Sequence, residues 1–116
     1  MSRDRTVFLR HVLQCLERID TYTANGKQAF MDDAKTQDAV IRNLEIIGQA
    51  VKDLGTDDLC VRHPAIPWRQ IAGLRNVLAH QYLGVDLALV WQVVEDHLSE
   101  LRQAVATELS SITPKG

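Results

Sequence analysis

The sequence lacks most of the features that announce a particular chemistry. Its 116 residues include two cysteines, Cys15 and Cys60, far apart and not joined in a C-x-x-C pair. That usage gives no reason to expect an oxidising compartment. Cys15 falls within an apolar helical pattern and reads as a small core residue. There is no glycine-rich phosphate loop and no H-E-x-x-H pair. No run approaches the ~18 apolar residues that would cross a bilayer. The opening "MSRDRTVFLRHVLQCLERID" carries charges and a histidine within its apolar stretch, unlike a signal peptide. A cytoplasmic location without membrane attachment is therefore expected. An excess of basic charge is missing too: 13 Lys and Arg face 15 Asp and Glu, giving a net charge of −2. A nucleic-acid binder usually leans basic, so any such role would need a local basic cleft, including one built by two subunits.

What is present is an ordinary globular composition, 46% apolar and 24% charged. A chain of this length buries roughly 60–70% of its unfolded surface, enough for a core without metal or disulfide. A single domain over 1–116 is expected, with 111–116 as a frayed tail. No strand alternation, internal repeat or low-complexity segment interrupts it. Phe8, Val12, Leu16 and Ile19 recur at helical spacing within a first segment from about Asp4 to Ala24. Gly26 reads as the left-handed residue ending it. "KQAFMDD" reads as a linker, with Asp32 or Asp33 capping a second helix that ends at Gly55. "TDDLCVRHPAIP" reads as a proline-rich loop. A third helix then starts at Pro67 and runs to about Gln81. Gly73 lies inside it, where another backbone could approach closely. Asp86 caps a fourth helix, running to about Ser110 with Val90, Val93, Val94, Leu98, Leu101 and Val105 inward. The expected fold class is all-α, an antiparallel up-and-down bundle of four to five helices.

The most informative stretch is "LRNVLAHQYLG", Leu74 to Gly84. It packs an arginine, an amide, an imidazole and a phenol into eight residues. Asn76 and His80 share one helix face, and Arg75 and Tyr82 share a neighbouring one. Arg75 and His80 are about 140° apart on an ideal helix, so one ligand meets both only through the length of Arg75 or an unwound helix end. A bland reading exists for each: a histidine at a helix end satisfies the last carbonyls, and Arg and Tyr snorkel to water. The functional reading is coherent as well. Arginine clamps phosphate oxygens with a planar fork, and histidine moves protons near neutrality. Together, without a metal, they can run phosphoryl transfer within RNA. The ribose 2′-OH attacks the adjacent phosphorus, His80 moves a proton to or from a ribose oxygen, and Arg75 stabilises the pentacovalent charge. Asn76 can orient either partner. DNA lacks the 2′-OH, so RNA selectivity follows.

At these residues the chain resembles a known family. Arg75-x-x-x-x-His80-x-Tyr82 matches the R-x4-H-x-Y motif of HepT-like proteins of the HEPN superfamily. "AVIRNLEIIGQAVKDL" (Ala39 to Leu54) and "IPWRQIAGLRNVLAHQYLGVDLALVWQVV" (Ile66 to Val94) are similar to that family as well. The resemblance implies a helical homodimer whose motifs line a cleft at the subunit interface. It implies a cofactor-free, metal-independent endoribonuclease toxin, with Arg75 and His80 catalytic and Asn76 supporting them. It also implies a partner, an MntA-type minimal nucleotidyltransferase antitoxin that modifies Tyr82 with AMP. Bulk and negative charge beside Arg75 would then exclude RNA. The alternative is a non-catalytic module that binds a nucleotide or the partner, or a motif that serves only as dimer glue.

Elsewhere the bland readings prevail. His11, His63 and His97 show no metal spacing, and consecutive Glu95, Asp96 and His97 point to different faces. Trp68 and Trp91 read as core or interface anchors. Arg42, Arg62 and Arg69 read as surface charge before they read as phosphate contacts.

Overall fold

Helix α1, Arg5–Tyr22, buries Val12, Leu16 and Ile19 of the predicted stripe together with Leu9 and Cys15, while Phe8 is half-buried. The computed structural model describes residues 5–79, 84 and 86–112. Among these, every regular element is helical, as expected for an all-α fold. After α1 come α2 (Gly26–Asp32), α3 (Ala34–Leu54), α4 (Thr56–Arg62), α5 (Trp68–Ala72), α6 (Leu74–Ala79), α7 (Leu87–Asp96) and α8 (Leu98–Ile112).

The helix α3 is the spine, packing against α1, α2, α5 and α6. It buries Val40, Leu44, Ile47 and Val51 at helical spacing, with Ile41 and Leu54 partly buried beside them. Two contacts fix the antiparallel sense of α1 against α3 and of α8 against α1. Arg5 at the start of α1 donates from Nη1 to the carbonyl of Leu54 at the end of α3 (3.0 Å). Arg102 on α8 pairs with Asp20 near the end of α1. Asp33 caps α3 as expected: its carboxylate accepts from the Lys35 N–H (3.1 Å) and the Thr36 hydroxyl (2.8 Å). The Thr36 hydrogen bond holds that carboxyl below its usual range. Gly55, at φ 88°, ends the helix.

Two segments read as irregular are helical. The "KQAFMDD" linker forms most of α2, a helix too short to persist alone. Tertiary contacts hold it. Phe30 is fully buried, with its ring centroid 5.4 Å from that of Trp91, and the Gln37 side chain donates to the carbonyls of Phe30 (2.9 Å) and Met31 (3.0 Å). Gly26, at φ 92°, makes the left-handed turn that leads into α2. The first half of "TDDLCVRHPAIP" is α4. Asp57 and Asp58 favour its N-terminal end, Arg62 its last turn, and Leu59 anchors it in the core.

Among the described residues the third and fourth predicted helices are each interrupted once; the expected end of the third, near Gln81, lies outside them. Gly73 separates α5 from α6, yet its N–H still reaches the Arg69 carbonyl (3.1 Å) and its carbonyl accepts from Val77 (3.1 Å). His97 separates α7 from α8. Asp86 caps α7, its carboxylate accepting from the Leu89 N–H (3.2 Å). Helix α8 runs through Ile112, two residues past the expected stop.

A buried carboxylate ties the ends of three helices together. Glu108 on α8 is 3% exposed. Arg62, closing α4, grips it with two bonds of 2.8 Å, Nε to Oε2 and Nη2 to Oε1. His63 Nε2 lies 2.9 Å from Oε2, and Arg5 Nη2 lies 3.6 Å from Oε1. The Arg62 hydrogen bonds outweigh the desolvation penalty and, with His63 adding to them, hold the Glu108 pKa down at about 2. The backbone of His63 then steers the next element, because its carbonyl accepts from Trp68 Nε1 (3.0 Å) at the start of α5. The loop leading into α5 is thus fastened to the Glu108 clasp.

Candidate active site on α6

Helix α6 carries the first half of the motif. Leu74 and Leu78, four apart, pack against the core on one side. Arg75, Asn76 and Val77 consequently face outward and are exposed. His80 and Tyr82 lie outside the described residues. Of the four motif residues, the structure therefore places Arg75 and Asn76, on adjacent positions of one solvent-facing surface.

The seat of α6 depends on a glycine the motif does not include. A Cβ on Gly48 of α3 would stand 2.8 Å from the Ile71 carbonyl oxygen, 3.2 Å from the Arg75 backbone nitrogen and 3.4 Å from Leu74 Cβ. Only a residue without a side chain lets the α5–α6 backbone lie this close to α3. The close approach expected at Gly73 belongs instead to Gly48; a Cβ on Gly73 would meet only its own helix's carbonyls, at 3.5 Å. An isolated glycine inside a strongly helical pattern was the available signal for Gly48.

Arg75 opens onto a cavity of about 350 Å³ between α1, α3 and α6. Phe8 and His11 line it from α1, and Arg42, Glu45, Gln49 and Asp53 from α3. The wall mixes charges of both signs. Arg42 Nη1 stands 3.7 Å from Glu45 Oε1, and Gln49 Nε2 donates to Asp53 Oδ1 (3.1 Å). Motif spacing could not reveal this cavity, because its residues come together only when α1 and α6 pack on the same side of α3.

The remaining candidates sort themselves by contact. Arg62 is engaged by Glu108 rather than standing as free surface charge. Arg69 pairs with Asp57 at 3.2 Å across an exposed surface. Trp68 and Trp91 are buried, 1% and 8% exposed, as core anchors. His63 serves the Glu108 clasp. Among the described residues, no three His, Cys, Asp or Glu side chains gather in a way that could hold a metal ion. No helix among them is long and apolar enough to cross a membrane.

These features define a helical domain that presents an exposed helix edge, with an arginine at the mouth of a mixed-charge cavity. The chain belongs to the ribonuclease HepT-like family, whose model matches residues 12–108. A probable ribonuclease HepT of Thermococcus cleftensis is 39% identical over 103 residues, covering 88% of this chain and 93% of that protein. The mRNA nuclease HepT of Shewanella oneidensis is 26% identical over 117 residues, covering 81% and 87%. A Methanocaldococcus jannaschii protein whose name pairs gamma-glutamylcyclotransferase with an RNase designation is 37% identical over 106 residues. That match takes in 90% of this chain but 47% of the longer protein, so the chain spans about half its length. No solved structure matches the chain.

Proposed function

We propose that this protein is a metal-independent endoribonuclease toxin of a prokaryotic toxin–antitoxin pair. The observation that carries the reading is Arg75 itself: an exposed arginine of the R-x4-H-x-Y motif, held on α6 at the edge of a cavity, in a chain of the ribonuclease HepT-like family. The names of the Thermococcus and Shewanella relatives support a ribonuclease.

In the proposed reaction the 2′-oxygen of a ribose forms a bond to the adjacent phosphorus as the bond from phosphorus to the 5′-oxygen breaks. One proton leaves the 2′-OH and one arrives on the departing 5′-oxygen. His80 handles a proton at one of these ribose oxygens. Arg75 places its fork against the non-bridging oxygens, where negative charge builds in the transition state. Asn76, next to Arg75, orients the phosphate or the imidazole. Two copies of the chain forming a homodimer would bring two such edges into one cleft and concentrate their positive charge. Tyr82 is the proposed regulatory residue. An MntA-type nucleotidyltransferase would transfer AMP to its hydroxyl, setting a phosphate next to Arg75 and closing the site to RNA.

The test is cleavage of single-stranded RNA by the purified protein in EDTA, beside Arg75→Ala and His80→Ala. Cleavage by the wild type and loss in both variants is expected. Equal cleavage by all three would remove the site assignment, and dependence on added metal would remove the mechanism.

A further inference from the structure

The cavity beside Arg75 is poorly suited to a bare phosphate. Its wall sets two acids, Glu45 and Asp53, against two arginines, Arg42 and Arg75, so it offers an anion no net positive charge and two repelling carboxylates. Arg42 is partly neutralised by Glu45. The cavity is nevertheless well furnished for a neutral, planar, hydrogen-bonding ligand. Phe8, Ile46 and Ala50 supply apolar contact, and its ~350 Å³ falls at the small end of the range for small-molecule sites. Its polar side is rich in acceptors. Asp53 takes a hydrogen bond from Gln49 at Oδ1 and keeps Oδ2 for another donor. Glu45 meets Arg42 at 3.7 Å through Oε1 and keeps Oε2. The Gln49 amide, having turned its NH2 group to Asp53, has its carbonyl oxygen as a further acceptor.

We propose that this cavity is a base-reading subsite. It takes the unpaired nucleobase of a nucleotide adjoining the cleaved phosphate and prefers bases bearing an exocyclic amine. The inference rests on the ribonuclease reading above. Its logic is donor–acceptor matching. Single-stranded RNA is read by stacking bases on aromatic or guanidinium planes and bonding their exposed edges. Carboxylates accept from the N4 amine of cytosine, as they do in nucleic-acid grooves generally. Uracil is nearly the same shape, but it carries a carbonyl where cytosine carries that amine. Its O4 would face Glu45 and Asp53 with no proton between them, leaving the single N3–H as its only edge donor against the two protons of the cytosine amine. Arg75 connects the subsite to the chemistry, since the same side chain lines the cavity and belongs to the motif. His11 and Arg42, exposed at the rim, are placed to meet the flanking phosphates rather than the base.

Cytidine against uridine is the cleanest comparison, because both stack weakly and share one ring shape, differing only in the C4 substituent and the proton on N3. The full chain is mixed with a random-sequence 12-mer RNA pool, and the cut ends are sequenced. At one position adjoining the cut, cytidine should exceed uridine by tenfold or more. In Glu45→Gln/Asp53→Asn that ratio should fall to within about threefold. A wild type with no preference at either adjoining position overturns the subsite, as does a preference that survives the double substitution. In parallel, fluorescence anisotropy reads the binding of labelled rC6 and rU6 without needing turnover. Tighter rC6 binding in the wild type, lost in the double variant, sustains the subsite even if no cleavage is seen, in which case only the ribonuclease reading falls. Equal binding of the two oligomers, or none of either, overturns the subsite. Glu45 is partly and Asp53 largely exposed, so circular dichroism should show an unchanged helical fold in the variant.

Discussion

Gly48→Ala is the substitution for which two well-understood effects oppose each other most directly. Replacing a mid-helix glycine by alanine ordinarily stabilises a helix by ~0.5–1 kcal/mol. Here the new Cβ would arrive 2.8 Å from the Ile71 carbonyl oxygen and 3.2 Å from the Arg75 nitrogen. Both are backbone atoms, and neither can swing aside as a side-chain tip does. Ordinary contact begins at 3.4 Å, so α5 and α6 must retreat from α3 by about half an ångström. Overpacking of this kind costs ~1–3 kcal/mol, which exceeds the helix-propensity gain. A net loss of ~1–2 kcal/mol is expected, lowering Tm by about 4–8 °C for a domain of this size. The retreat also moves the backbone that carries Arg75. Because misplacement of a catalytic group on this scale is felt steeply in rate, RNA cleavage should drop about tenfold at temperatures where the variant remains folded. Differential scanning calorimetry and a gel-based cleavage assay read the two effects separately. A Gly48→Ala protein with raised Tm and undiminished cleavage would refute the close packing of α6 on α3.

Other expectations follow from the same contacts. Glu108→Gln leaves Arg62, Arg5 and His63 around a neutral amide and should cost about 3 kcal/mol, the low end for a broken buried pair because Arg62 is half exposed. The Glu108 carboxyl titrates at about 2 in the fold against 4.5 ordinarily, so its contribution is complete above 4.5 and is lost as pH falls toward 2. Urea unfolding at pH 6, 4 and 3 should therefore show an acid-side decline in the wild type that is flatter in Glu108→Gln; parallel declines would deny the clasp its role. Arg75→Lys keeps the charge but loses the planar fork. Arg75 is exposed, so Tm should hold within about 1 °C while cleavage falls tenfold or more. Unchanged cleavage in that variant would reduce Arg75 to a point charge.

How legible the molecule was in its sequence depends on the range of the interaction concerned. Local signals carried through: the stripes of α1, α3 and α8, the Asp33 and Asp86 caps, and the glycine stop at Gly55 all stand where periodicity and cap chemistry put them. The largest failures are long-range. Helix α2 exists because Phe30 meets Trp91, sixty-one positions on, and because Gln37 covers its last carbonyls. Arg62 looked like free surface charge because its partner, Glu108, lies 46 residues away. Gly48 and the cavity of Phe8, His11 and Gln49 depend on how α1 and α6 flank α3, which no single-helix pattern encodes. Within the site the motif identified Arg75 and Asn76 as outward-facing neighbours. The surroundings that would give an arginine its substrate had to come from tertiary packing.

The central claim is that Arg75 and His80 drive attack by a ribose 2′-oxygen on its own phosphate. It is tested most directly with an RNA oligonucleotide carrying one 2′-deoxy substitution at the preferred cut, incubated with the wild-type protein in EDTA. The account predicts that cleavage at that linkage disappears, while the unsubstituted RNA is cut there to leave a 2′,3′-cyclic phosphate. Cleavage persisting at the deoxy position would contradict it, since the attacking oxygen would then have come from water.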